Sequence, residues 1–172
     1  MNNVTKPNLI TKVYFYFLHI KIISFLNVNK NDVILDFGCG LGSLKKLIKK
    51  KFEYANVINF DVLGNLSEIE DWKQIGFNKI VFCQVLYLLS EQEITDILKF
   101  IKSKNENAKI FCCFSCQGFL NKLFAYLLGH KNAHKDTLTT PDQEEKLLLN
   151  FCKIEKNFNF LNIFKIFVLK FI

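Results

Sequence analysis

Apolar positions along the chain fall into two rhythms that take turns. Asp32–Phe37, Asn56–Asp61, Lys79–Cys83 and Lys109–Phe114 are largely apolar runs, the pattern of strands buried on both faces. Between them apolar residues recur at helical spacing. Leu44, Leu47 and Ile48 do so with lysines opposite, and Ile94, Ile97, Leu98 and Ile101 do so behind Ser90-Glu-Gln-Glu93, a capping box. Ile10–Leu26 is apolar nearly all round and reads as a helix. Phe119, Leu120, Leu123, Phe124, Leu127 and Leu128 make a wide helical stripe that stops near Gly129. Thr140-Pro-Asp-Gln143 opens another helix with Pro141 at its first position. Cys152–Phe160 and Asn162–Phe171 read as two strands of a hairpin. Strands alternating with helices up to that hairpin predict an α/β fold, a doubly wound and mostly parallel sheet with an antiparallel C-terminal hairpin. With no linker or internal repeat, residues 1–172 form one domain, a helical cap over 1–30 and an α/β core over 31–172.

The first of these strands ends in chemistry. Residues 33–43 read Val-Ile-Leu-Asp-Phe-Gly-Cys-Gly-Leu-Gly-Ser, an acid and then glycines on alternate positions before a helix. Such a turn is where doubly wound folds bind nucleotides. A dinucleotide fingerprint, G-x-G-x-x-G, breaks at Ser43, and no Gly-Lys-Ser/Thr of a P-loop is present. Asp36 would also repel a pyrophosphate. The block resembles the first motif of the Rossmann-like (class I) S-adenosylmethionine-dependent methyltransferases, an acid followed by G-x-G-x-G: Asp36, Gly38, Gly40 and Gly42. The order of strands and helices resembles that fold too.

The resemblance continues at two further places. Asp61 ends the next strand, 19 residues beyond Gly42, where the family has an acid that accepts hydrogen bonds from ribose hydroxyls. The run from Phe82 to Leu89 resembles the family's fourth segment, which sets Cys83 and Gln84 across from the glycines. Tyr87 in that run reads equally as a core aromatic or as a residue facing the substrate. The resemblance implies S-adenosylmethionine as cofactor, held by Asp36, Phe37, Gly38, Cys39, Gly40, Gly42, Asp61, Cys83 and Gln84. It implies methyl transfer to a small-molecule, sugar or lipid-linked acceptor.

One stretch departs from the family pattern. Only 17 residues separate Asp61 from the strand at Lys79, too few for the usual helix, strand and helix. The group that holds the adenine amine normally comes from there, and Glu70, Asp71 and Trp72 are the substitutes on offer. The catalytic residue is open. His130 and His134, beside Asp136 in a polar stretch, are candidates for a general base, as is Tyr87, although solvated loop histidines are the plainer reading. Methyl transfer to an aligned nucleophile does not always need a base.

Composition narrows the partners. The formal charge is +7, but every basic residue is Lys. Bidentate contacts to phosphate and guanine favour Arg, so the charge gives only weak support to an RNA methyltransferase. The Asn/Asp-Pro-Pro-aromatic motif of enzymes that methylate DNA bases is replaced here by Cys-Gln-Val-Leu, which disfavours DNA. The six Cys include a single C-x-x-C, Cys113–Cys116, without a second pair, so a metal site is not expected and a reducing cytoplasm is. Val13–Val28 is 16 residues, short of the roughly 20 that span a bilayer, and carries His19 and Lys21. It is not expected to be a transmembrane segment, while contact with a membrane surface stays open. The rival functions are a non-catalytic or regulatory module on the same fold and, less well supported, an NAD-dependent oxidoreductase. The acceptor and the oligomeric state are not written in the sequence.

Overall fold

A computed structural model describes residues 9–62, 66–116 and 137–172. β1 (Val33–Phe37), β2 (Asn56–Phe60), β3 (Lys79–Cys83) and β4 (Lys109–Ser115) are parallel, and β6 (Phe164–Phe171) runs antiparallel to both β4 and β5 (Cys152–Phe160). The sheet order is β2-β1-β3-β4-β6-β5. The expected sheet is therefore present, hairpin included, while the helical stripe from Phe119 to Leu128 lies outside the described residues. β6 begins at Phe164, two residues later than the apolar pattern suggests. Leu161 and Asn162 adopt positive φ (48° and 54°), so they form the turn instead of extending the strand.

The unbroken apolar runs are explained by helices on both faces. Ile34, Val81, Phe111 and Cys113 point to the side covered by α1 (Leu9–Leu26) and α2 (Ser43–Lys51). Leu35, Ile80, Phe82, Ile110 and Cys112 point the other way, toward α3 (Glu91–Lys104) and α4 (Pro141–Phe151). The alternation is the period of two that a pleated strand imposes. Both expected capping boxes are formed, Ser90 with Glu93 on α3 and Thr140 with Gln143 on α4. Each cap is worth roughly 1 kcal/mol and fixes where its helix starts. That start lies at the carboxyl end of the parallel strands.

α1 is long and apolar enough, by length and composition, to cross a membrane. Its inner side, Leu18, Ile22, Ile23 and Leu26, is packed onto the sheet. Its outer side leaves Leu9, Ile10, Val13, Tyr16 and Ile20 exposed.

The short stretch after Asp61 explains why β2 is an edge. In place of a further strand, residues 67–69 lie along β2. Glu68 donates its backbone N–H to the Asn59 carbonyl (2.9 Å), and its side chain accepts the Asn59 N–H (3.0 Å). The Ser67 hydroxyl accepts the Asp61 N–H (3.2 Å). Side chains thus blunt an edge that another strand would otherwise cover. Among the described residues, the segment's one further element is a 3-10 turn, Trp72–Gln74.

Candidate functional site

The glycine turn lies over the end of β2. Gly38 and Cys39 both donate backbone N–H groups to the Phe60 carbonyl (2.8 and 3.1 Å). Two of the glycines are required for different reasons. Gly38 has φ 76° and a Cβ there would lie 2.4 Å from Val85 Cγ2, so it lets the segment after β3 close in. Gly40 has φ 52° and a Cβ would meet nothing within 4 Å, so its open side faces free space. Its N–H donates to Asp61 Oδ2 at 2.8 Å. The turn and the strand-end acid, far apart in sequence, form one unit.

Asp36 lies beneath this turn. It is only 2% exposed, and its Oδ2 has no hydrogen-bond partner. Burial, and then the Asp61 carboxylate, push its carboxyl up to about 7, with Lys45 opposing. Lys45 is itself held by Glu68. Asn59, the cross-strand neighbour of Asp36, also has a buried side-chain oxygen, Oδ1, without a partner. Orphaned buried polar atoms are uncommon in folded proteins and call for a reason. Here they surround a backbone cradle with an open side, and the two carboxylates make it a place for a cationic ligand.

The remaining expected residues sort into wall and support. Phe37 offers backbone only, since its ring packs among Phe60, Trp72 and Phe82 in the core. Cys39 is held protonated, pushed up to about 12 by burial and by Asp36. Burial also carries the Cys83 thiol well above its usual value. Gln84 follows β3 with φ 56°, a strained position for a non-glycine residue. Its side chain donates to Cys113 Sγ (3.7 Å) and accepts from the Ser115 hydroxyl (2.9 Å), which ties it to β4. Tyr87 is half-buried, and its carbonyl accepts the Leu138 N–H (2.8 Å), so the chain returns here after residue 136. His130, His134 and Asp136 lie outside the described residues.

Of the three adenine substitutes, two are occupied structurally. Trp72 is buried against Phe37 and Phe100, and Asp71 caps its own turn by accepting the Lys73 N–H (3.0 Å). Glu70 remains exposed. Sequence reasoning missed Tyr14, whose phenol α1 brings within electrostatic reach of Cys83, Cys113 and Cys116 at the ends of β3 and β4, and whose burial raises its pKa. It missed Asn59, which carries no motif. It also missed Glu144, although its spacing of four from Leu148 places it on the buried face of α4.

A parallel sheet reversed at a glycine turn, with acids ending its first two strands and an antiparallel hairpin at its edge, is the fold of the class I S-adenosylmethionine-dependent methyltransferases. Solved structures agree. A Pyrococcus horikoshii protein matches with a TM-score of 0.69 at 13% identity, covering 94% of this chain and 91% of that one. The magnesium protoporphyrin IX methyltransferase of Synechocystis, solved with S-adenosylhomocysteine bound, matches with a TM-score of 0.67 at 16% identity, covering 97% and 89%. In sequence, 81 residues are 35% identical to the probable cobalt-precorrin-6B C(15)-methyltransferase (decarboxylating) of Methanocaldococcus jannaschii. That stretch is 47% of this chain and 42% of the relative, so the match spans less than half of either protein. No family model matches the chain.

Proposed function

We propose that this protein is an S-adenosylmethionine-dependent methyltransferase acting on a small-molecule acceptor. The observation that carries the reading is the buried Asp36 carboxyl, without a hydrogen-bond partner at Oδ2, beside Asp61 and an open glycine cradle. A cradle lined by two acids disfavours a pyrophosphate and suits a ligand bearing an ammonium and a sulfonium. The residues present therefore fit this cofactor. When bound, it supplies a methyl group on positively charged sulfur, already activated for displacement.

The chain's own residues do the rest. Asp36 sets the negative potential that an ammonium satisfies, directly or through neighbouring backbone. Asp61, fixed by the Gly40 N–H, presents a carboxylate suited to ribose hydroxyls. The turn from Gly38 to Gly40 gives backbone groups without a Cβ on the open side. Gln84, tied to β4, and Val85, seated against Gly38, hold the opposite wall. Tyr14 and Tyr87 stand at the carboxyl ends of the strands, where an acceptor would be aligned and water excluded. Proximity and alignment supply much of the acceleration such a displacement needs.

Calorimetric titration with S-adenosylhomocysteine, of the wild type and of Asp61→Ala, tests the reading. Micromolar binding that the variant loses supports it, and an acceptor screen with radiolabelled cofactor then separates small-molecule, sugar and lipid-linked acceptors. Binding without turnover on any acceptor indicates a regulatory module. No binding by folded protein refutes the reading.

A further inference from the structure

The two helical layers that cover the sheet differ in charge. α1 and α2, in contact on one face, carry seven lysines and no acid. α3 and α4, on the other face, carry four lysines and six acids. The basic layer also exposes apolar surface. Leu9, Val13, Tyr16 and Ile20 recur at helical spacing and form one stripe along α1, opposite the buried Leu18, Ile22 and Leu26. Leu9 is 76% exposed and Val13 60%. Lys12 borders the stripe on one side, and Ile10 and Lys21 border it on the other. Lys21 leans over the Phe158 ring, 4.7 Å from its centroid. On α2, Lys46, Lys49 and Lys50 are exposed on the side opposite the buried Leu44 and Ile48. Both helices bury their inner sides on the same sheet face, so the stripe and these lysines face outward together. Glu68, in the adjoining loop, offsets Lys45, which it holds in an ion pair.

An apolar stripe bordered by cations, on helices without an acid, complements a surface with an apolar interior and an anionic rim. An anionic lipid bilayer is such a surface. RNA fits less well. Leu9, Val13 and Ile20 offer no ring for a base to stack on, and the chain has no Arg. A second copy of this chain fits less well too, because two-fold pairing of this face would set lysines against lysines. We propose that the outer face of α1 and α2 docks on an anionic membrane surface. The stripe enters the boundary between headgroups and acyl chains, and the ammonium groups reach the lipid phosphates. The helix lies along the bilayer, since Leu18, Ile22, Ile23 and Leu26 are committed to the sheet. Tyr14, beside Val13, packs on Phe164 (ring centroids 5.9 Å apart), whose strand partner is Ser115 at the carboxyl end of β4. A docked bilayer therefore borders the end of the sheet that carries the glycine cradle.

Flotation of the full chain with extruded vesicles tests the docking. The vesicles are phosphatidylcholine alone or phosphatidylcholine mixed with phosphatidylglycerol. The expected result is binding to the anionic vesicles about tenfold or more tighter than to the neutral ones, weakened by salt. Val13→Asp, at an exposed position, should abolish flotation and keep the wild-type unfolding temperature. Lys46→Gln/Lys50→Gln should weaken binding about tenfold. Lys99→Gln/Lys146→Gln removes the same charge from exposed positions on α3 and α4 and should leave binding unchanged. The two lysine pairs are exposed, so that comparison stands even if Val13→Asp fails to fold. No flotation with anionic vesicles, equal binding to neutral ones, equal loss in the two lysine pairs, or unchanged flotation of a folded Val13→Asp overturns the proposal. So does a wild-type dimer that Val13→Asp dissolves, or RNA that strips the protein from the vesicles. Flotation needs no cofactor, so its failure leaves the methyltransferase reading untouched.

Discussion

The two ends of the parallel sheet treat buried charge in opposite ways. At the amino end Lys79 and Asp32 are both buried, and their partners are supplied within the fold. The Lys79 ammonium donates to the Leu26 and Asn27 carbonyls, each at 2.8 Å, and to Asp32. Asp32 also accepts from the Asn29 N–H (2.6 Å) and from Asn78 Nδ2 (3.1 Å). Burial alone would raise the Asp32 carboxyl, but these bonds hold it below its ordinary value. At the carboxyl end Asp36 Oδ2, Asn59 Oδ1 and Thr137 Oγ1 are buried without partners. The same sheet thus carries a closed clasp, which joins α1 to β1 and β3, and a cradle whose polar groups await an outside partner. Buried charge at one end serves stability. At the other it is strain kept for a ligand.

Breaking the clasp should give the largest effect. Lys79→Ala leaves Asp32 buried beside lost hydrogen bonds, and such removals cost about 3–5 kcal/mol. Urea unfolding measures that loss. The opposite sign is expected at the cradle. Asp36 titrates at about 7 against an ordinary 3.8, so the native state holds an extra proton between those values. Stability therefore falls as pH rises from about 4 to 7, and the penalty is fully present above 7. Asp36→Asn removes it, which should stabilise the ligand-free protein at pH 8 by at most about 4 kcal/mol, with little change at pH 4. Thermal unfolding across that range is the check, and S-adenosylhomocysteine affinity should drop at the same time. Within the cradle the two glycines sharpen the contrast. Gly38→Ala meets Val85 as well as unfavourable φ and should cost about 3 kcal/mol. Gly40→Ala meets only the φ strain and should cost about 1 kcal/mol, with its main effect on ligand affinity. Equal losses in the two variants would contradict the division between a packing glycine and a ligand-facing one.

The two ends were not equally legible in the sequence. Strand and helix positions were plain because strands buried on both faces leave unbroken apolar runs and because the capping boxes at Ser90 and Thr140 are local signals. The glycine turn and Asp61 were legible because backbone reversal and a strand-end acid need particular residue types at fixed places. The bond between Gly40 and Asp61 was not, since it joins residues 21 positions apart through the fold. Lys79 and Asp32 looked like ordinary polar strand boundaries, and only tertiary packing pairs them. Glu144 sits in an Asp-Gln-Glu-Glu run typical of a solvated helix start, and Leu148, one turn on, was the sole hint that it faces inward. Trp72 was misleading as an adenine partner because the shortened segment spends it on the core.

The most direct test of the unsatisfied carboxyl end follows the proton. Titration of S-adenosylmethionine at pH 6.5 in two buffers of different ionisation heat reports protons exchanged on binding. Binding of the cation should release a proton from wild-type protein, as Asp36 becomes ionised, and none from Asp36→Asn if that variant still binds at high ligand concentration. Binding with no proton release, or release unchanged in Asp36→Asn, would contradict the account.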